Sequence, residues 1–75
     1  MPYINYLAQF AFFGGNYMFI VYRNTTDSGK AIAQFHHLEQ ATAFMEYHAL
    51  RENDPTATGY QVIDGTNTLR GEYEL

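Results

Sequence analysis

Near neutral pH the side chains best suited to moving protons or ligating a metal are histidines, and here they stand at His36, His37 and His48. With Glu39 or Glu46 they would form a nitrogen–oxygen donor set. Their spacing speaks against it, because no His-x-x-x-His pair places two rings on one helical face. His48 flanks the inward stripe of an expected helix and reads as a packed histidine with one hydrogen bond. Nucleophilic chemistry has less to build on. The chain has no cysteine, and its one serine, Ser28, lies in a polar turn with no histidine near it. Gly29-Lys30 lacks the upstream glycine of a phosphate-cradling loop. Asn24-Thr25-Thr26 has the form of a glycosylation acceptor, which has meaning only in a secreted chain. These residues predict no catalytic centre, no metal site and no cofactor, and the chain reads as a binder, not an enzyme.

Tyrosine and phenylalanine carry a different chemistry. Seven Tyr and six Phe are present without Trp, and they crowd between Tyr3 and Tyr22. A tyrosine offers a large apolar body with a polar tip, which suits an interface anchor. Phe10, Phe12 and Ile20 read as core, whereas Tyr3, Tyr6 and Tyr22 have hydroxyls that need water or a partner. A second strip, Ala43, Tyr47 and Leu50, recurs on the outer face of the expected helix. It lies either under the loop spanning residues 54–59 or open to a partner. The acidic residues gather from Glu39 onward, with Glu72 and Glu74 on the last strand, and such an asymmetry offers an acidic surface to a basic partner.

The elements that must position these groups follow from periodicity. Residues 3–13 alternate with apolar residues at Ile4, Tyr6, Ala8, Phe10 and Phe12, and so predict a strand, with a helix as runner-up. Gly14-Gly15-Asn16 supplies a tight hairpin turn. Residues 17–24 predict a strand that is apolar on both faces, followed by a polar turn at 25–29. A short strand then runs over 30–35 with Ala31, Ala33 and Phe35 on one side. Leu38, Ala41, Met45 and Ala49 form a helical stripe over residues 38–52, poorly capped at its start by His36 and His37. Asn53-Asp54-Pro55 stops it. Gly59 opens a hairpin of strands 60–64 and 68–74 around Gly65-Thr66-Asn67, with Leu69, Tyr73 and Leu75 inward and Arg70, Glu72 and Glu74 outward. The expected fold is α+β, an antiparallel sheet with one helix on one face, in the order β-β-β-α-β-β.

Seventy-five residues make a single domain, 1–75, with a thin core. The formal net charge of −4 provides no basic footprint for phosphates, so direct nucleic-acid binding is disfavoured. An acidic chain can instead imitate nucleic acid and occupy a basic groove. No apolar stretch is long enough to cross a membrane, and Met1-Pro2-Tyr3 supplies no basic leader region. The absence of cysteine suits a reducing cytoplasm.

Residues 1–24 carry a resemblance. Met1, Ile4, Tyr6 and Leu7, then Asn16-Tyr17-Met18, Ile20, Tyr22 and Asn24, with Tyr3 matching by type, are similar to the N-terminus of a phage-encoded anti-CRISPR family that inhibits the type I-F surveillance complex. Gly29-Lys30, Phe35 and Glu39-Gln40 give a fainter echo. The resemblance implies a small antiparallel sheet that sits on the repeated backbone subunits of a CRISPR effector and blocks pairing with target DNA. It implies contact through exposed sheet tyrosines, which map here to Tyr6 and Tyr22, and a site of action in the bacterial host cytoplasm. The segment between the second strand and the strand before the helix is shorter here. The chain also closes in an expected hairpin where the family has a helix.

Overall fold

Alternation of side chains about an extended backbone sets the fold. The computed structural model describes residues 18–75. Within them β1 (Phe19–Thr25), β2 (Gly29–Phe35), α1 (Leu38–Leu50), β3 (Ala57–Asp64) and β4 (Leu69–Glu74) follow in order. The four strands make one antiparallel sheet in the order β2-β1-β3-β4. The described chain is thus α+β with the order β-β-α-β-β, which differs from the expected β-β-β-α-β-β. The strand expected at residues 3–13 and its Gly14-Gly15-Asn16 turn lie outside the described residues.

On β1, Val21 faces the helix and packs in one cluster with Ala41, Met45 and Ala49 of α1 and with Tyr60 and Val62 of β3. Ile20 and Tyr22 point the other way and cluster with Ile63, with Met18 and Ala31 against them. Each such aliphatic burial stabilises the fold by about 1.5–3 kcal/mol. The helical stripe at Ala41, Met45 and Ala49 is buried as expected. Phe35 and Phe44 join helix to sheet with ring centroids 5.4 Å apart.

Three register shifts interrupt the ladders, with Ile32, Thr58 and Arg70 as the extra residues. Val21 pairs with Ala33 and Tyr22 with Ala31, leaving Ile32 as an extra residue on β2. The extra residue reverses the phase of the strand. Ile32 therefore joins Ala33 and Phe35 against the helix-side core, and Ala31 moves to the opposite cluster, correcting the expectation that Ala31, Ala33 and Phe35 share a side. On β4, Arg70 is the extra residue between the pairs Val62–Gly71 and Ile63–Leu69. Tyr73 packs on the core, but Leu69 and Leu75 are exposed, where the unbroken alternation had placed them inward. Gly59 does not open the second hairpin. It lies inside β3, buried, and a Cβ there would stand 2.8 Å from the Tyr73 carbonyl oxygen. The strands pass too close for any side chain at this position.

The connections explain the register. Thr25 N–H donates to the Ser28 carbonyl (2.8 Å), and Thr26 N–H donates to the Thr56 carbonyl (2.9 Å), tying the first hairpin to the approach to β3. His37 stands at the N-cap in extended conformation without a side-chain cap bond. The helix ends at Leu50, two residues short of Glu52, and closes with Arg51 N–H on the His48 carbonyl and Glu52 N–H on the Ala49 carbonyl. Asp54-Pro55-Thr56-Ala57 turns the chain, with proline at the second turn position where its fixed φ fits. Asn67 adopts φ 63° in the four-residue β3–β4 loop, a conformation that asparagine tolerates better than most residues. No helix among the described residues is long and apolar enough to cross a membrane.

Candidate partner-binding site

Shortening of the helix brings its last turn and the residues beyond it over β1 and β3. Arg23, projecting from β1 towards the helix side, donates from Nε to Glu52 Oε1 at 2.6 Å and from Nη2 to Glu52 Oε2 at 3.0 Å. The same Nη2 reaches Asp54 Oδ2 at 3.1 Å. Tyr60 Oη donates to Glu52 Oε1 at 2.5 Å, and Asp54 N–H donates to Glu52 Oε2 at 3.1 Å. Asp54 Oδ1 in turn accepts from Thr56 N–H and Oγ1 at 2.9 and 2.8 Å. One guanidinium therefore fastens the helix exit and the turn into β3 to the sheet.

Electrostatics follow from these bonds. Hydrogen bonds from Arg23, then from Tyr60, hold the Glu52 carboxyl down at about 2 against an ordinary 4.5. Asp54 is lowered by the Thr56 backbone N–H, the Thr56 hydroxyl and Arg23. Glu52 and Asp54 together raise Arg23. Burial, then the Glu52 anion, raises the Tyr60 phenol. The carboxylates are thus fixed as anions and the phenol as a neutral donor across the neutral pH range, so none of them is poised to exchange a proton there.

Beside this network a cleft of about 400 Å³ is lined by Arg23, Ile32, Phe44, His48, Arg51, Glu52 and Tyr60. Its outer wall is the last turn of α1. The His48 ring lies against Phe44 with centroids 4.1 Å apart and meets Tyr47 edge-on at 5.5 Å. It is exposed, not packed into the core as its position beside the inward stripe suggested. The Arg51 guanidinium stacks over the Tyr47 ring at 3.7 Å and donates from Nη1 to the Tyr47 carbonyl at 3.1 Å. Tyr47 and Leu50 stand 55% and 70% exposed, and Ala43 is exposed one turn before them. Of the two arrangements open for this strip, the structure has the uncovered one.

The other sequence-derived candidates fall apart spatially. Tyr3 and Tyr6 lie outside the described residues. Tyr22 is 0% exposed, which corrects its assignment as a surface anchor. It sits on a strand flanked on both sides, opposite Ala31 and Gln61, and its ring belongs to the Ile20–Ile63 cluster. Glu72 and Glu74 are exposed on β4, at the edge of the sheet remote in order from β2. Among the described residues no group of three or more His, Cys, Asp or Glu is placed to hold a metal ion.

Sequence reasoning missed Arg23, Glu52, Asp54 and Tyr60. It also missed a buried charge, Asp64, whose Oδ1 accepts from Thr66 N–H, Thr66 Oγ1 and Thr68 N–H at 2.9, 2.7 and 3.1 Å and whose Oδ2 accepts from Arg70 at 3.0 Å. Burial opposes its ionisation, but the combined donors of Thr66, Arg70 and Thr68 prevail and lower its pKa. For Glu52 and Asp54 the available signal was the pair of acids flanking Asn53 just past the helical stripe. No family model, curated protein or solved structure matches this chain.

Proposed function

We propose that this chain is an anti-CRISPR-like inhibitor, a binding module that seats on a protein subunit of a type I CRISPR effector complex and sterically blocks target DNA. The observation that carries the binding part of this reading is the uncovered Tyr47–Leu50–Arg51 surface beside an open cleft. Tyrosine and arginine are the residue types that most often anchor protein interfaces, and a stacked pair loses less side-chain freedom on binding than two free groups would. The CRISPR part rests on the similarity of residues 1–24. Because Tyr22 is buried, it is left out of the proposed contact, which is assigned to the end of α1 together with Tyr6 from the set that the resemblance implies.

Capture assays against purified type I effector complexes test the reading directly. Association is expected, and Tyr47→Ala with Leu50→Ala should abolish it while target-DNA binding by the effector recovers. Failure to associate with every type I complex tried would sink the CRISPR part. A steep loss of binding with salt, insensitive to Tyr47, would instead favour an acidic mimic of nucleic acid acting through Glu72 and Glu74.

A further inference from the structure

We infer that β4 is an acceptor edge for strand addition by a basic, extended segment of a partner protein, independent of the α1 surface and of any CRISPR target. A sheet edge exposes a row of backbone donors and acceptors, and β4 occupies one end of the order β2-β1-β3-β4. No strand among the described residues pairs with its outer side. What distinguishes this edge is its charge pattern. Glu72 pairs with Gln61 and Glu74 with Gly59, so the two carboxylates project from one face at alternate positions. Both are exposed, and neither forms an ion pair among the described residues, whose three salt bridges all involve Arg23 or Arg70.

The pattern selects the occupant. A second copy adding antiparallel about Tyr73 would set Glu72 directly across from Glu74 twice on the same face, and like charges in that position are destabilising. A strand carrying Lys or Arg at alternate positions reverses the sign of both pairs. Between the acids Tyr73 turns to the core side, while exposed Leu69 begins the strand and exposed Leu75 follows it, so the complementary segment alternates basic and apolar residues. Backbone hydrogen bonds supply affinity in this mode, and the alternate side chains supply specificity.

The probe is a labelled decapeptide alternating lysine and valine, titrated into the isotopically labelled full chain. Saturable binding is expected, with amide shifts confined to residues 69–75 and slowed exchange along β4. The charge-reversed variant E72K/E74K, exposed at both positions and checked for an unchanged circular dichroism spectrum, should bind at least roughly tenfold more weakly. A peptide of equal composition with its lysines in one block should also bind more weakly. Absence of binding, equal binding by the blocked peptide or by E72K/E74K, or shifts centred on α1 would each overturn the inference. So would sedimentation showing that the free chain already self-associates through β4.

Discussion

Glu52 concentrates the acid response of the helix end, since Arg23, Tyr60 and the Asp54 amide all donate to its two oxygens. Its folded pKa near 2 lies below the ordinary 4.5. The stabilisation is therefore complete above pH 4.5 and is lost as pH falls through 2, where the unfolded chain binds the proton first. Urea denaturation across that window should show stability falling with acid, and Glu52→Gln should be less stable at neutral pH and flatter between pH 4.5 and 2. Asp64 adds a parallel loss below its ordinary 3.8, because its folded pKa is also depressed. At 2% exposure, its carboxylate relies on its protein donors. Asp64→Ala should cost about 2–3 kcal/mol by urea denaturation, from unmatched Thr66 and Thr68 amides at the loop. The Glu52 site was not legible in the sequence, because Arg23 and Glu52 are brought together by the docking of α1, which no local periodicity encodes. The Asp64 site is local to its hairpin, with donors at Thr66, Thr68 and Arg70, and an Asp before a Gly-Thr-Asn turn was its overlooked signal.

Among the elements, glycine gives the sharpest contrast. A methyl at Gly59 would meet the Tyr73 carbonyl at 2.8 Å, whereas one at Gly71 meets only the flexible end of Met45 at 3.7 Å. Gly59→Ala should therefore destabilise by about 1–3 kcal/mol through overpacking, and Gly71→Ala should be close to neutral, both measured by thermal or urea unfolding. Element identity was readable where the apolar pattern is uninterrupted: the Ala41–Met45–Ala49 stripe, buried on one side, and the run of β1, buried on both, stand where helical period and alternation put them. Facing was misread at Ala31 and Leu69, each next to a bulge, whereas Leu75 is exposed because it lies past the end of β4. A single extra residue leaves the composition of a strand unchanged but reverses which side its neighbours occupy. The helix end was misplaced for a related reason, since Glu52 leaves the helix to meet Arg23.

For the whole molecule, the two tyrosine classes should separate folding from binding. Tyr22→Ala opens a cavity in the cluster shared with Ile20 and Ile63 and should cost about 3–5 kcal/mol of stability, close to loss of the fold. Tyr47→Ala should leave the unfolding midpoint nearly unchanged and weaken partner capture by about 2 kcal/mol if the ring is an anchor. The sequence marked both as aromatic residues with polar tips and held no means of telling them apart, because exposure depends on which strand lies at the centre. That centre has a further consequence. The β1–β3 ladder runs unbroken from the Phe19–Asp64 pair to the Asn24–Gly59 pair, while the ladders on either side are interrupted mid-strand. Amide exchange should be slowest along this seam, which joins segments that lie on opposite sides of the helix in the chain. The sheet would then dissolve from its rims inward, and the last surviving structure would be one that neither half of the described chain can form by itself.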